Sequence, residues 1–500
     1  MTRINTNIPS ILGQRVLGQN NSTLSTALER LSTGLKINRG KDDPAGLIAS
    51  ENLRSEKAAL GAAIGNAERA DQVVNIAEGG LQEVSSLLTE LQGLLTTSAN
   101  TAGLSESERE ANQLQIDSIL QTVDRIAGST SFQGSKLLNG NFDYQVGSVA
   151  SSVTDFEVRG AKFDGASQAV QAIVTNSAQQ AGVFLSFGAG SIDLAAGSQF
   201  IIEVGGSLGN RELQFASGAT LAQIATAINS VNDVTGVTAS AGGTGISLYS
   251  DDFGSSEFAS IKVANDGGIA GGSGILNFEA DDFGTVSTTS PTAFSAAGNG
   301  VRDEGQDIGG TINGLLAVGR GKELSVNSDF LDVAFTLDTS ASQTLASVDS
   351  FTINGGGADF QLASQVNVAG KVSIGIGDIS TRKLGSSSLG FLDDLGSGKA
   401  FNAVDGNNLS TAQKIVGEAI EQVSSTRGRL GAFQKNVVGA TIRSLNVGLE
   451  NTTAAESVIR DADFASETAA LTRNQILVQA STNVLALANQ SPQSVLSLLG

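Results

Sequence analysis

The 500-residue sequence contains no cysteine, no histidine and no tryptophan. Without cysteine there can be no disulfide, no thiolate catalysis and no cysteine-ligated metal. Without histidine, the Ser-His-Asp and Cys-His nucleophile systems and histidine-ligated zinc are excluded together. No apolar run approaches the roughly 18 residues that a membrane-spanning helix needs. The first twenty residues carry Arg3 and Arg15 but scatter Asn, Thr, Gln and Pro among them, so they lack the apolar centre of a secretory signal. Any export is therefore expected to bypass the general secretory route. Proline numbers 4 against 61 glycines, and aromatics make up 5%, a balance that suits long helices and tightly turning strands. The glycines keep no period of three, which excludes collagen.

Charge is plentiful but lopsided, with a formal net charge of -20. This argues against nucleic acid or an anionic membrane as partner. A hydrophobic fraction of 40% supports real cores, and the length allows about two to four domains.

Leu24, Leu28, Leu31 and Leu35 step by four, three and four, the spacing of a packed helical seam, preceded by Ile4, Ile8 and Ile11. Gly34, Asn38 and Gly40 stop that helix, and Asp43-Pro44 offers the N-cap and first residue of a second one reaching about Ser98. Ser105 and Glu108 form a capping box for a third helix carrying Ile116, Ile119, Val123 and Ile126, ended at Gly128. At the other end Ala419, Val423, Thr426, Leu430, Phe433, Val437, Ala440 and Val447 continue one seam. The last stretch, Phe464 to Leu499, places Ala470, Leu477 and Val484 beside Leu471, Val478 and Leu485, with Leu496 and Leu499 beyond. A lone helix gains little from such a stripe, so the two chain ends are expected to lie side by side, and the pair alone leaves apolar surface for neighbouring subunits.

From about Asn139 to Asn408 the composition turns to Gly, Ser, Thr, Phe and β-branched residues. Val183 to Phe187, Phe200 to Val204, Glu212 to Phe215, Val237 to Ser240, Ile246 to Ser250 and Ile261 to Val263 read as strands around a helix capped by Thr220 and Gln223. A second β-rich set comprises Thr311-Ile312, Leu331 to Leu337, Phe351 to Ile353, Phe360 to Leu362 and Val372 to Ile376, with Asn313-Gly314 and Asn354-Gly355 as hairpin turns. Asp266 to Gly274 and Thr285 to Gly300 read as connectors. The fold class is thus α+β multidomain: a long antiparallel α-helical coiled-coil rod made from both chain ends, with β-rich and α+β modules inserted in the middle. The expected domains are 1–43 with 456–500, a terminal coiled-coil core; 44–140 with 406–455, a helical rod with a small β-hairpin region near 132–150; 151–300; and 301–405.

No motif carries catalysis or a cofactor. Gly34 to Lys41 has the wrong glycine spacing for a phosphate loop, and Asp42 stands where magnesium needs a hydroxyl. Asp251-Asp252, Asp281-Asp282 and Asp393-Asp394 read as solvated turns, and Asp461 and Asp463 as helix-capping acids. No catalytic, cofactor or metal residue is expected.

Several motifs are family-specific. Ile4-Asn5-Thr6-Asn7-Ile8, Gln14-Arg15, Leu28 to Leu35, Ile37-Asn38, Asp42 to Leu47 and Leu137 to Gly140 resemble the N-terminal signature of bacterial flagellin. Arg427, Leu430 to Ala432, Gln434, Asp461 to Asp463, Gln475 to Leu477 and Ala488 to Leu499 resemble its C-terminal one. The resemblance covers about the first 145 and last 95 residues. It implies a structural, secreted subunit that self-assembles into the extracellular flagellar filament used for motility, exported unfolded by the flagellar type III system. Implied partners are other copies, the cap and hook-filament junction proteins, and an export chaperone at the C-terminal helix. The middle corresponds to the family's hypervariable region, where the stretch from Leu221 through Thr235 to Val263 resembles a recurrent insert. Thr89-Glu90-Leu91-Gln92-Gly93-Leu94-Leu95-Thr96 aligns with the contact segment for the Toll-like flagellin receptor. Glu90 replaces the common arginine there and implies weak or absent activation. The alternatives are a hook-filament junction protein with flagellin-like ends and a flagellin whose middle is a glycan-binding, adhesin-like module.

Overall fold

The computed structural model describes residues 6–496 apart from 101, 164, 189, 270–273, 280–281, 287–290 and 405–407, with backbone alone at 279, 282–286 and 491–496. The helices are α1 (Ile8–Thr33), α2 (Pro44–Ser98), α3 (Glu106–Ser129), α4 (Leu221–Asn229), α5 (Asn232–Thr235), α6 (Thr339–Gln343), α7 (Leu409–Ala432), α8 (Gly439–Arg460) and α9 (Phe464–Leu496). The chain divides into two compact units, Met1–Gln72 with Phe360–Gly370 and Ala432–Gly500, and Val73–Asp359 with Lys371–Gly431.

In the first unit the caps explain where the helices start and stop. Asn7 Oδ1 accepts from Ser10 N, Gly34 ends α1 at φ +71°, and its N–H donates to Arg30 O. A side chain there would be strained, which is why the helix can turn at this glycine. Asp43 Oδ1 accepts from Gly46 N, and Asp463 Oδ1 accepts from Ala465 N and Ser466 N at the start of α9. Lys36 N donates to Arg460 O at 2.7 Å and Ala462 N to Gly34 O at 2.9 Å, which stitches the link after α1 to the link before α9. A π-helical turn at Phe433–Val438 precedes α8. Its extra residue shifts the apolar seam, so Val438 is buried where the even spacing predicted Val437, and Val447 is exposed.

The second unit buries one face of each of its long helices. Leu81, Val84, Leu88 and Leu91 of α2, Ile116 and Val123 of α3, and Ile415, Val416 and Ala419 of α7 are fully covered. Gln113, also buried, is fully used: Nε2 donates to Leu395 O and Asp117 Oδ1, and Oε1 accepts from Ala403 N. The α3 capping box is present, and the helix runs one residue past Gly128.

An eight-stranded antiparallel sheet follows the order Tyr144–Gly147, Ser347–Gly356, Gln168–Asn176, Gly309–Ile312, Leu315–Arg320, Glu323–Asn327, Leu331–Leu337 and Val153–Ala161. Its inner face carries Val170, Ala172, Val174, Ile312, Leu324, Val333, Phe335 and Ile353 in one core. The two edges meet through a side chain: Tyr144 Oη accepts from Ala161 N at 2.9 Å. Asn313 and Gly314, at φ +48° and +81°, form the expected tight hairpin turn. Asn354-Gly355 does not turn; it lies inside Ser347–Gly356, where Gly356 lets the backbone approach Asp143 O so closely that a Cβ would sit 2.3 Å from it.

A second core lies between two further sheets. One runs Asp282–Val286, Gly274–Glu279, Gly182–Ser186, Gly245–Ser250, Val237–Gly242, with Thr292–Ala293 on Gly274–Glu279; the other runs Val301–Glu304, Phe258–Asn265, Phe200–Gly206, Gly209–Phe215. The apolar face of α4, Leu221, Ile224 and Ile228, joins this core, and its Thr220/Gln223 capping box is formed. Thr285 to Gly300 is not a plain connector, because Phe294 packs against Phe187 and Phe200 at ring distances of 5.1 and 5.2 Å.

Candidate functional site

The α1–α9 pair is antiparallel, as its polar contacts show. Asn7 Nδ2 donates to Ala488 O at 2.9 Å, Ser10 Oγ to Asn489 Oδ1 at 2.7 Å and Asn20 Nδ2 to Ser481 Oγ at 2.6 Å, and Arg30 pairs with Glu467 at 3.2 Å. On α1 the covered line is Ser10, Gly13, Leu17, Asn20, Leu24, Ala27 and Leu31; on α9 it is Glu467, Leu471, Asn474, Val478, Ser481, Leu485 and Ala488. Both lines step by three and four, the spacing of one helix face. A Cβ on Gly13 would lie 3.2 Å from Leu485 Cδ1, so this glycine permits the close approach.

The pair is therefore closed by small and polar side chains interleaved with Leu17, Leu24, Leu31, Leu471, Val478 and Leu485, while a second set of large aliphatics points away. Ile8, Ile11, Leu12, Val16 and Leu28 of α1, and Phe464, Ile476, Leu477, Val484 and Leu487 of α9, are exposed, Ile476 by 64% and Val484 by 60%. The residues predicted from sequence thus separate into two groups. Leu24, Leu31, Leu35, Leu471, Val478 and Leu485 are half-buried, whereas Ile8, Ile11, Leu28, Leu477 and Val484 are exposed. Ile4, Leu499 and the side chain of Leu496 lie outside the described residues. Gly13, Asn20, Ala27, Asn474 and Ser481 escaped a search for aliphatic residues, yet their spacing alone places them on the seam.

In Thr89 to Thr96, Leu91 and Leu95 are buried anchors, and Thr89, Glu90, Gly93 and Thr96 face outward. The second unit also holds a cleft of about 720 Å³ lined by Asp143, Asp155, Glu157, Glu418, Lys383 and Arg429 among others. Glu157 is shared there: Oε1 pairs with Arg429 Nη2 at 3.0 Å, and Oε2 with Arg159 Nε at 2.8 Å. Burial pushes the carboxyls of Asp143, Asp155, Asp332 and Glu418 above the usual range and lowers Arg429, and it drives the Tyr144 hydroxyl up to about 12. Among the described residues no acidic group is arranged to hold a metal ion. Asp251 is taken up by Asn232 and Thr238, and Asp393 by Lys399. Asp281 and the side chain of Asp282 lie outside the described residues.

Helical chain ends that leave part of their large aliphatic residues exposed, with β-rich modules between them in the sequence, define a class of protein: an α+β multidomain chain. Residues 4–143 match the bacterial flagellin N-terminal helical region, residues 413–499 the bacterial flagellin C-terminal helical region, and residues 199–252 the flagellin hook IN motif, which overlaps the insert-like stretch beginning at Leu221. The chain is 31% identical to the B-type flagellin of Pseudomonas aeruginosa and 29% identical to the flagellin of Salmonella choleraesuis, each over 99% of both chains. Among solved structures it is similar to FliC from Burkholderia pseudomallei at 13% identity and a TM-score of 0.25, over 73% of this chain and 99% of that one, too weak a likeness to bear on the fold. The chain belongs to the bacterial flagellin family. It is a structural subunit of the extracellular flagellar filament, a protein of a structural family rather than an enzyme family. Among the described residues no helix is long and apolar enough to cross a membrane.

Proposed function

We propose that the chain assembles through its two ends, with the outward aliphatic faces of α1 and α9 buried by the same helices of neighbouring copies. The observation carrying this reading is the second set of large aliphatics that the pair leaves exposed, Ile8, Ile11, Leu12, Val16 and Leu28 on α1 and Ile476, Leu477, Val484 and Leu487 on α9. Burying such faces stabilises by about 25 cal/mol per Å², so many small gains add along a polymer. In this reading residues 1–43 with 456–500 form the inner filament core, and 44–140 with 406–455 a long antiparallel rod. Residues 151–300 and 301–405 form the outer modules. Because the aliphatic residues on the seam of the isolated pair are only half-buried, the ends stay loosely folded before assembly, which suits export as an unfolded chain through the flagellar type III channel. The same apolar faces suit an export chaperone on α9 and the cap and hook-filament junction proteins at the filament's ends. Glu90, exposed beside Thr89 and Gly93, supports weak or absent activation of the Toll-like flagellin receptor; full-strength signalling in reporter cells at ordinary flagellin doses would contradict it.

Removing Phe464 to Gly500 tests the assembly reading. The truncated chain is expected to stay monomeric under conditions where the full chain extends filament seeds. Normal filament growth without the tail would overturn it.

A further inference from the structure

The outer face of the eight-stranded sheet carries a second uncovered apolar surface. Strand register sets Ile173, Thr311 and Leu316 side by side across three strands, and Val318 lies two residues beyond Leu316 on the same face. Their neighbours Ala172, Ile312 and Ala317 are buried, so the period of two sends this set outward. Leu316 is 84% exposed and Val318 71%. Leu345, also exposed, precedes the strand whose Ser347 pairs with Ile173.

The two rows that cross this patch carry no charge near it, and the flanking charges on the same face are Arg320 with Glu323, one step beyond Val318, and Asp349, one step beyond Ser347. The row through Leu316 reads Ser347, Ile173, Thr311, Leu316, and the row through Val318 reads Val318, Ser325, Ala334 before reaching Glu157. An exposed antiparallel face normally carries polar and charged side chains, often lysine, to discourage association. Here Ile173, Leu316 and Val318 lie outward with only Ser347, Thr311 and Ser325 beside them in their own rows, and the charges are held to the flanks. That combination marks a contact surface.

The charge balance also selects the occupant. A cationic partner would be drawn to the acidic remainder of the surface. Two copies of this chain, each at a net charge of -20, repel one another and approach most easily at a face such as this, apolar at its centre and flanked by charges of both signs, Arg320 with Glu323 and Asp349. A filament holds such copies next to each other at high local concentration. We propose that the sheet face carrying Ile173, Leu316 and Val318 is a lateral contact between the β-rich modules of neighbouring subunits. This rests on the filament reading above.

The absence of cysteine supplies the test. Leu316→Cys and Leu208→Cys each introduce a single thiol at an exposed position, one in the patch and one on the other β module. Maleimide labelling is compared between the monomer and the assembled filament. Burial at a packed contact predicts that Leu316→Cys loses about tenfold in labelling rate on assembly while Leu208→Cys changes far less. In parallel, the triple variant Ile173→Ser/Leu316→Ser/Val318→Ser is expected to form filaments that depolymerise at a lower temperature. Equal labelling of Leu316→Cys in monomer and filament, or equal protection of both thiols, overturns the contact. Failure of the unsubstituted chain to polymerise would instead overturn the filament reading itself.

Discussion

The terminal helices and the middle modules differ in how completely they cover their large side chains. Around α4 and its sheets, Leu185, Phe200, Ile202, Ile246 and Leu248 are fully enclosed. In the α1–α9 pair, Ser10, Gly13 and Ala27 are enclosed and Ile8, Ile11, Ile476 and Val484 are not. Hydrophobic content alone would not separate the two regions; the side on which it falls does. A module that encloses its large residues has a closed core of its own. A pair that leaves many of them outside is, on the assembly reading proposed above, completed by other copies.

The comparison breaks most visibly if a core residue of the middle is removed. Phe200→Ala is expected to destabilise its module by about 3–5 kcal/mol, read as a lower thermal midpoint of the monomer, with end-driven assembly retained at low temperature. A smaller effect follows at the seam that closes the eight-stranded sheet. Tyr144→Phe strands the Ala161 N–H and costs about 1–3 kcal/mol, detectable by denaturant unfolding.

In the cleft, the carboxyl of Glu418 is raised by burial and then by Glu421, so its folded value lies above the unfolded one. A raised carboxyl favours the fold below the unfolded pKa, and that advantage is lost as pH rises through the folded value. Glu418→Gln should therefore raise the monomer melting temperature slightly at neutral pH and leave it unchanged near pH 3.5, where both states are protonated at roughly that value. The smallest effect belongs to the first unit: Glu456→Gln removes the partner of Lys57 and Arg54, half-exposed pairs at 3.3 and 3.9 Å, and should cost about 0–1 kcal/mol by thermal melting.

Local signals made much of the fold legible. Asp43 ahead of Pro44, the Ser105/Glu108 box and the Thr220/Gln223 box each announce a helix start through backbone N–H groups that these side chains satisfy. Leu331–Leu337 reads as a strand because Leu331, Val333, Phe335 and Leu337 recur at every second position. Val153–Ala161 and Gln168–Asn176 do not read so clearly, since Thr154, Asp155, Glu157 and Arg159, or Gln168 and Gln171, interrupt the apolar residues, and their partners are remote in sequence. The π-helical turn at Phe433–Val438 leaves no composition cue, so one residue of slip in the seam passes unseen. At the ends, the aliphatic residues were visible but not their division between the pair and the outside, because the inner line mixes Ser, Gly, Ala and Asn with only some of the Leu and Val residues.

That division is the central claim, and the double variant Leu477→Ser/Val484→Ser tests it directly. Both side chains are exposed in the monomer. Monomer melting should be unchanged, while the critical concentration for filament growth rises by at least about tenfold, the equivalent of about 1.4 kcal/mol per subunit. A destabilised monomer that polymerises at the original critical concentration would contradict the account.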